Sequence, residues 1–225
     1  MFGIVRRTFA RAGLSERFGR DTVWLALAVA MLWTLHPLQT QAVTYIIQRA
    51  ESLVSLMYLL TLWGFIRSVE PGASKGWGVL AWVACLLGMA TKEVMVTAPV
   101  MVALYDRIFV AGAWREIWAR RKWFHLSLAL TWLLLAWLVV GTAGRGGTAG
   151  FGGGMSPWGY TLTQVGAVVH YLRLALWPQP LVFDYGKDLV AGWSDVWWQA
   201  LLLFPLGAAS LWAAWRGRAA CRRSL

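Results

Sequence analysis

Charge is scarce in this chain. Only 14% of its 225 residues are Asp, Glu, Lys or Arg, against about 25% in an ordinary soluble domain. That shortage excludes a disordered, solvated chain and argues against a water-soluble globule. Cysteine is scarcer still, with two residues, which excludes a disulfide scaffold. Cys85 sits in an apolar run and Cys221 in an Arg-rich tail, so the two are not expected to pair. No group of His and Cys has zinc spacing, so no metal centre and no cofactor are expected, with a divalent ion left open. Acidic residues number 10 against 21 basic ones, a formal net charge of +11. A nucleic-acid binder gathers such an excess on a polar face. Here the basic residues punctuate apolar runs, so the expected partner is a lipid bilayer and not nucleic acid. No similarity repeats at a solenoid period.

Apolar side chains fill the space that charge leaves. They make up 59% of the chain, mean hydropathy is +0.55, and 17 residues are Trp, a side chain that collects where membrane meets water. Charge-poor runs occupy 22–35, 52–66, 76–91, 94–105, 124–141 and 194–215. A hydrocarbon core of ~30 Å takes about 20 helical residues, so the shorter runs are expected to extend into their flanks. The second is expected to start near Gln41, since Ala42, Ile46, Ala50, Leu53, Met57 and Leu60 recur at helical spacing. The fourth is expected to run through Val110, with Asp106 and Arg107 snorkelling to the interface. The first follows a basic stretch but no small-residue cleavage site follows it, so it reads as a retained span. It should end near His36, before Pro37.

The fold class expected is an all-α membrane protein of about six transmembrane helices plus an interfacial amphipathic helix. A cytoplasmic basic linker, 1–21, precedes a multi-pass domain, 22–215, and a cytoplasmic basic tail, 216–225. With the N-terminus inside, the inner segments carry five, two, five and four Lys or Arg residues, sixteen in all, against five outside. The positive-inside rule favours that orientation, with both termini cytoplasmic at a bacterial inner membrane. From Tyr160 to Trp177, Leu162, Val165, Val168, Val169, Leu172 and Leu176 form one stripe. A seventh span there would move four C-terminal arginines outside, so an interfacial helix is preferred. Residues 141–156 are Gly-rich and read as a flexible external loop.

The outer side gathers His36, Gln39, Gln41, Gln48, Arg49, Glu51, Lys92, Glu93, His170, Arg173, Asp184 and Asp188. Lys92 and Glu93 interrupt about thirty apolar residues, and a charge at that place needs a partner or water. They read either as a solvated hairpin turn or as part of a polar external cavity. Arg49 either snorkels or meets an anionic ligand; Glu51, two positions on, does not share its helix face. His36 either caps the first helix or lines the cavity. His170 and Arg173 are either the wet face of the interfacial helix or part of the same site. Asp184 and Asp188 fit turn chemistry or an acid pair.

Three ordered blocks carry a resemblance: LHPLQTQAVTYIIQRAESLVSLMYLLTLW, TKEVMVTAPVMVALYD and YLRLALWPQPLVFDYG. Together they resemble the membrane region of the transmembrane and tetratricopeptide-repeat proteins, which are similar to protein O-mannosyltransferases of the GT-C glycosyltransferase fold. The resemblance implies transfer of a sugar from a polyprenyl-phosphate donor to a protein or glycan acceptor on the extracytoplasmic face. The donor phosphate would then need outer cations, for which Arg49, Lys92 and Arg173 are the candidates. His36, Glu51, Glu93, His170 and Asp184 would line the cavity. The family's catalytic Asp belongs to a first external loop that this chain is expected to lack, so no residue here inherits that role. The tetratricopeptide repeats of the family are not in view either, so the chain is expected to be an incomplete part of such an enzyme: the alternatives are a non-catalytic scaffold or remnant and, with no inverted repeat in view, a transporter.

Overall fold

A computed structural model describes residues 1–40, 49–142, 157–182, 190 and 192–216. Gln41, Gln48, Asp184, Asp188, the Gly-rich loop beyond Thr142 and the tail beyond Arg216 lie outside the described residues. All regular structure among the described residues is helical, as expected. The helices are α1 (Phe2–Phe9), α2 (Ala12–Phe18), α3 (Thr22–Leu35), α4 (Arg49–Ser68), α5 (Gly76–Thr91), α6 (Ala98–Tyr105), α7 (Trp114–Thr142), α8 (Pro157–Leu176) and α9 (Trp197–Arg216). A 3-10 turn, Glu93–Thr97, leads into α6 and a π-turn, Asp106–Ala111, follows it, so Glu93–Ala111 forms one rod. Among the described residues two helices, Glu93–Ala111 and Trp114–Gly141, are long and apolar enough to cross a membrane. Thr22–Leu35 and Gly76–Thr91 are apolar but shorter.

The chain divides into two units, 1–140 with 216–225, and 141–215. In the first, side-chain contacts fix the direction of four elements. Glu51 near the start of α4 meets Lys92 at the end of α5, and Gly64 lies against the backbone of Trp77 and Ala81, so α4 and α5 are antiparallel. The α5 residues Trp82 and Cys85 reach Ser127 and Thr131 of α7, at 3.2 and 3.4 Å, so α5 and α7 run the same way. Trp132 of α7 bonds to Val96 O at 3.0 Å while Arg121 reaches Asp106, so the rod runs against α7. Phe65, fully buried, stands where α4, the rod and α7 meet: it stacks on Phe124 at 5.5 Å and meets Tyr105 edge-on at 6.4 Å. Ile66, Cys85, Met89, Met95, Val102 and Leu128 complete this core.

Several expectations need correction. Asp106 and Arg107 do not snorkel: they are 0% and 7% exposed. Arg121 and His125 on α7 give Asp106 a full set of partners, which removes the reason to reach for water. The helix of the fifth apolar run begins at Trp114, ten residues earlier than its charge-poor stretch, and carries a kink at Arg121 (φ −135°, ψ 17°). The basic stretch before Thr22 is helical and packed. Ile4 of α1 joins the core, Arg7 stacks on Trp63 at 4.3 Å, and Thr8 meets Tyr105 OH at 2.8 Å.

Outside this core the surface is apolar. Leu32, Leu133, Trp137 and Val140 are each about two-thirds exposed or more, and patches of that size in water drive association. Lipid covers such faces without cost, because a helix pairs its interior backbone groups within itself.

The second unit holds α8 and α9. The helix expected at 160–177 is present, and its proposed stripe is buried only in part. Leu162 and Leu174 are buried, whereas Val168, Leu172 and Leu176 are 45%, 43% and 86% exposed. Trp158 and Trp193 stack at 6.3 Å, and Val190 N–H donates to Thr163 Oγ1 at 3.4 Å.

Candidate functional site

Polar groups of the first unit gather at its two ends. At one end α5 stops at Lys92, whose extended backbone (φ −159°, ψ 145°) breaks the helix while its N–H still bonds to Gly88 O. The break lifts Lys92 off the helix surface, and its ammonium forms an ion pair with the Glu51 carboxylate of α4. Both side chains remain about a third exposed, 32% and 38%. Glu93 opens the next turn and is exposed; Arg49 is exposed two residues before Glu51. Tyr58 OH and Thr97 Oγ1, 3.3 Å apart, add a neutral bridge between α4 and the rod.

A lysine has three donors and Glu51 takes one direction of them. The pair can therefore hold a cation at rest and present it to a second anion, such as a phosphate, without building a new site. Neither Glu51 nor Glu93 stands where a base for a hydroxyl is defined.

Of the remaining predicted site residues, His36 belongs to the same unit as this pair. His36 is the C-cap residue of α3, as one of its two readings expected, and its ring accepts from Leu38 N–H at 3.2 Å, which also caps the short Pro37–Gln39 turn that follows. His170, half-buried, and Arg173, exposed, belong to α8 in the second unit. Asp184 lies outside the described residues. Among the described residues no group of three His, Cys, Asp or Glu could hold a metal ion.

The opposite end holds the strongest polar cluster, which sequence reasoning missed. Fully buried Asp106 accepts two hydrogen bonds from Arg121, Nε at 2.8 Å and Nη2 at 2.7 Å, and contacts His125 Nε2 at 2.8 Å. The Arg107 guanidinium donates to the carbonyl of Gly112, whose φ of +74° only glycine adopts without strain and which ends the π-turn. Nearby Glu70 bridges Arg7 at 2.7 Å and Arg67 at 2.8 Å, tying α1 to the end of α4. A signal was present: Arg121 and His125 lie four apart, so one helix turn offers both to a single carboxylate. A shallow groove between α1 and α4, lined by Met1, Ile4, Leu59, Leu60 and Trp63, is mostly apolar.

Comparison with known proteins now bears on these clusters. The chain is 29% identical over 185 residues to a Drosophila melanogaster protein, Protein O-mannosyl-transferase Tmtc2, covering 78% of this chain and 20% of that one. A second, Protein O-mannosyl-transferase Tmtc1 of the same organism, is 26% identical over 211 residues, 84% of this chain and 23% of its own length. This chain is related to the TMTC protein O-mannosyl-transferases. Human Protein O-mannosyl-transferase TMTC3 is 32% identical over 88 residues, 38% of this chain and 10% of its own. The chain thus spans between 10% and 23% of the length of these TMTC relatives. No protein-family model matches it, and no solved structure does.

Proposed function

We propose that this chain is the membrane-embedded part of a glycosyltransferase of the GT-C type, with both termini cytoplasmic at a plasma membrane. It draws a sugar from a polyprenyl-phosphate carrier and passes it to a protein or glycan acceptor at the outer face. The observation that carries this is the relationship to protein O-mannosyl-transferases over 78% of the chain. The membrane part is supported by two helices long enough to cross and by the sixteen-to-five division of basic residues. The six-span arrangement accommodates the shorter apolar helices as well.

For the donor, we assign Lys92 and Arg49 to the phosphate, with Glu51 as the resting partner of Lys92. The phosphate exchanges with Glu51 for the ammonium, a trade of one charge-assisted hydrogen bond for another. Arg173 is the third cation of the reading and is assigned a part in donor capture. The catalytic carboxylate is assigned to none of the residues of this chain.

The test is polyprenyl phosphate binding by the full chain in lipid nanodiscs. Lys92→Gln and Arg49→Gln should each weaken binding roughly tenfold, the value of one hydrogen bond to a charged group. Their combination should cost less than the product if they share one ligand. Glu51→Gln should preserve or strengthen binding, because it frees the ammonium. The same measurement on Arg173→Gln tests its share separately. Unchanged binding in the Arg49 and Lys92 double variant would remove the donor assignment and leave a membrane scaffold as the reading.

A further inference from the structure

The first two turns of α7 differ from the rest of that helix. Trp114–Arg120 lie ahead of the break at Arg121. The break coincides with a contact: Arg121 leaves helical geometry at the residue whose guanidinium grips buried Asp106 through two hydrogen bonds. His125, one turn on, meets the same carboxylate at Oδ2. Ahead of the break Ile117 is buried, and everything around it faces out: Trp118 is 56% exposed, with Trp114, Arg115 and Arg120 also exposed. Just after it Lys122 is exposed, its ammonium 5.2 Å from the ring of Trp123, which is 75% exposed. Three cations, Arg115, Arg120 and Lys122, are thus exposed along one short segment, with one carboxylate, Glu116, 3.9 Å from Arg120. The charge of Arg121 is already matched by Asp106. Beyond Trp123 the helix turns apolar and is long enough to cross a bilayer.

We infer that this segment is a docking surface for anionic phospholipid. Arg115, Arg120 and Lys122 meet headgroup phosphates, while Trp114, Trp118 and Trp123 seat in the interface beside them. Asp106 is the positioning residue: by drawing Arg121 out of the helix it turns the basic segment away from the axis of the span that follows. The complementarity is one of charge, since anionic leaflets attract basic residues lying within a Debye length, and indole rings favour the headgroup level. The inference rests on the membrane-spanning part of the proposed function and on none of its donor chemistry.

The full chain is reconstituted in nanodiscs of phosphatidylcholine mixed with phosphatidylglycerol, and the phosphatidylglycerol retained on purification is measured. The wild-type chain should enrich the anionic lipid, and enrichment should fall with added salt. Each charge removed in the series Arg115→Gln, Arg120→Gln, Lys122→Gln should lower the enrichment roughly fivefold. A variant with Arg17→Gln and Arg20→Gln, exposed cations of the N-terminal segment, should keep it. Enrichment that survives the triple change, or that is lost equally in the Arg17 and Arg20 variant, overturns the assignment. A chain that alkaline carbonate strips from membranes overturns the membrane reading too. A chain that stays in the membrane without enriching phosphatidylglycerol overturns this inference alone.

Discussion

At the scale of single residues, Asp106 shows how a charge survives in an apolar bundle. It is 0% exposed, and an unpaired carboxylate there would be driven to take up a proton. Arg121 supplies a planar fork that matches the carboxylate, and His125 occupies what remains. Such a pair is a weak source of net stability, but breaking it is costly, because one charge is left buried. Asp106→Ala should therefore destabilise the chain by about 3 kcal/mol or more, read as a lowered unfolding midpoint in detergent. Asp106→Asn combined with Arg121→Met should recover part of the loss, since no lone charge remains. Lys92 and Glu51 form the opposite case. Their pair is a third exposed on both sides, where ion pairs contribute little. Glu51→Gln should leave the midpoint nearly unchanged, which separates its binding role from a structural one.

At the scale of elements, the α4–α5 hairpin depends on close approach. A Cβ added at Gly64 would lie 2.9 Å from Ala81 N and from Trp77 O, and these are backbone atoms that cannot step aside. Small residues let helices in lipid bring their backbones together, where apolar burial from water gives no help. Gly64→Leu should pry α4 from α5, and because Phe65 is the next residue, it should disturb the core as well. The expected result is a loss of several degrees in thermal midpoint and faster proteolysis of the detergent-solubilised chain. Gly141→Leu, with open space around its Cβ position, should be tolerated. Helix limits were readable where apolar runs ended at strong punctuation: Thr22–Leu35 before His36-Pro37 and Gly76–Thr91 before Lys92 agree with their runs. They were not readable at Trp114–Lys122, because a run of charge hides a helix that turns only Ile117 and the Arg121 that clamps Asp106 inward. Leu174 of α8 was missed for a related reason: its stripe was chosen by hydropathy, and α8 is apolar on more than one face.

At the scale of the whole molecule, the first unit sorts its polar groups by end. Glu51, Lys92 and Glu93 stand at one end, and Glu70, Asp106, Arg121 and His125 at the other. The sorting follows from the antiparallel course of α4, α5, the rod and α7, and a bilayer favours the same segregation. In a chain with Cys85→Ala and Cys221→Ser, single cysteines at Ser74 and Ala113 should react with impermeant thiol reagent from one side of the membrane. A cysteine at Glu93 should react from the other. Labelling of Ala113→Cys and Glu93→Cys from the same side would end the reading of Glu93–Ala111 as a span.

The sequence by itself determined the helical class, the apolar character of the surface and the kinship with the TMTC proteins. Each of these follows from composition or from the order of residues along the chain, and needs no knowledge of what touches what. It also marked Lys92 as a charge in want of a partner, since few cations stand so deep in an apolar stretch. Only the tertiary structure decided that the partner is Glu51, forty-one residues earlier, and that Asp106 is clamped and not snorkelling. The pattern of a helix records which residues face inward. It does not record which neighbour they meet, because that depends on how far each helix is rotated and how closely it approaches. Those two quantities were set at Gly64, at Phe65 and at the kink of Arg121, where the backbones themselves come together or bend.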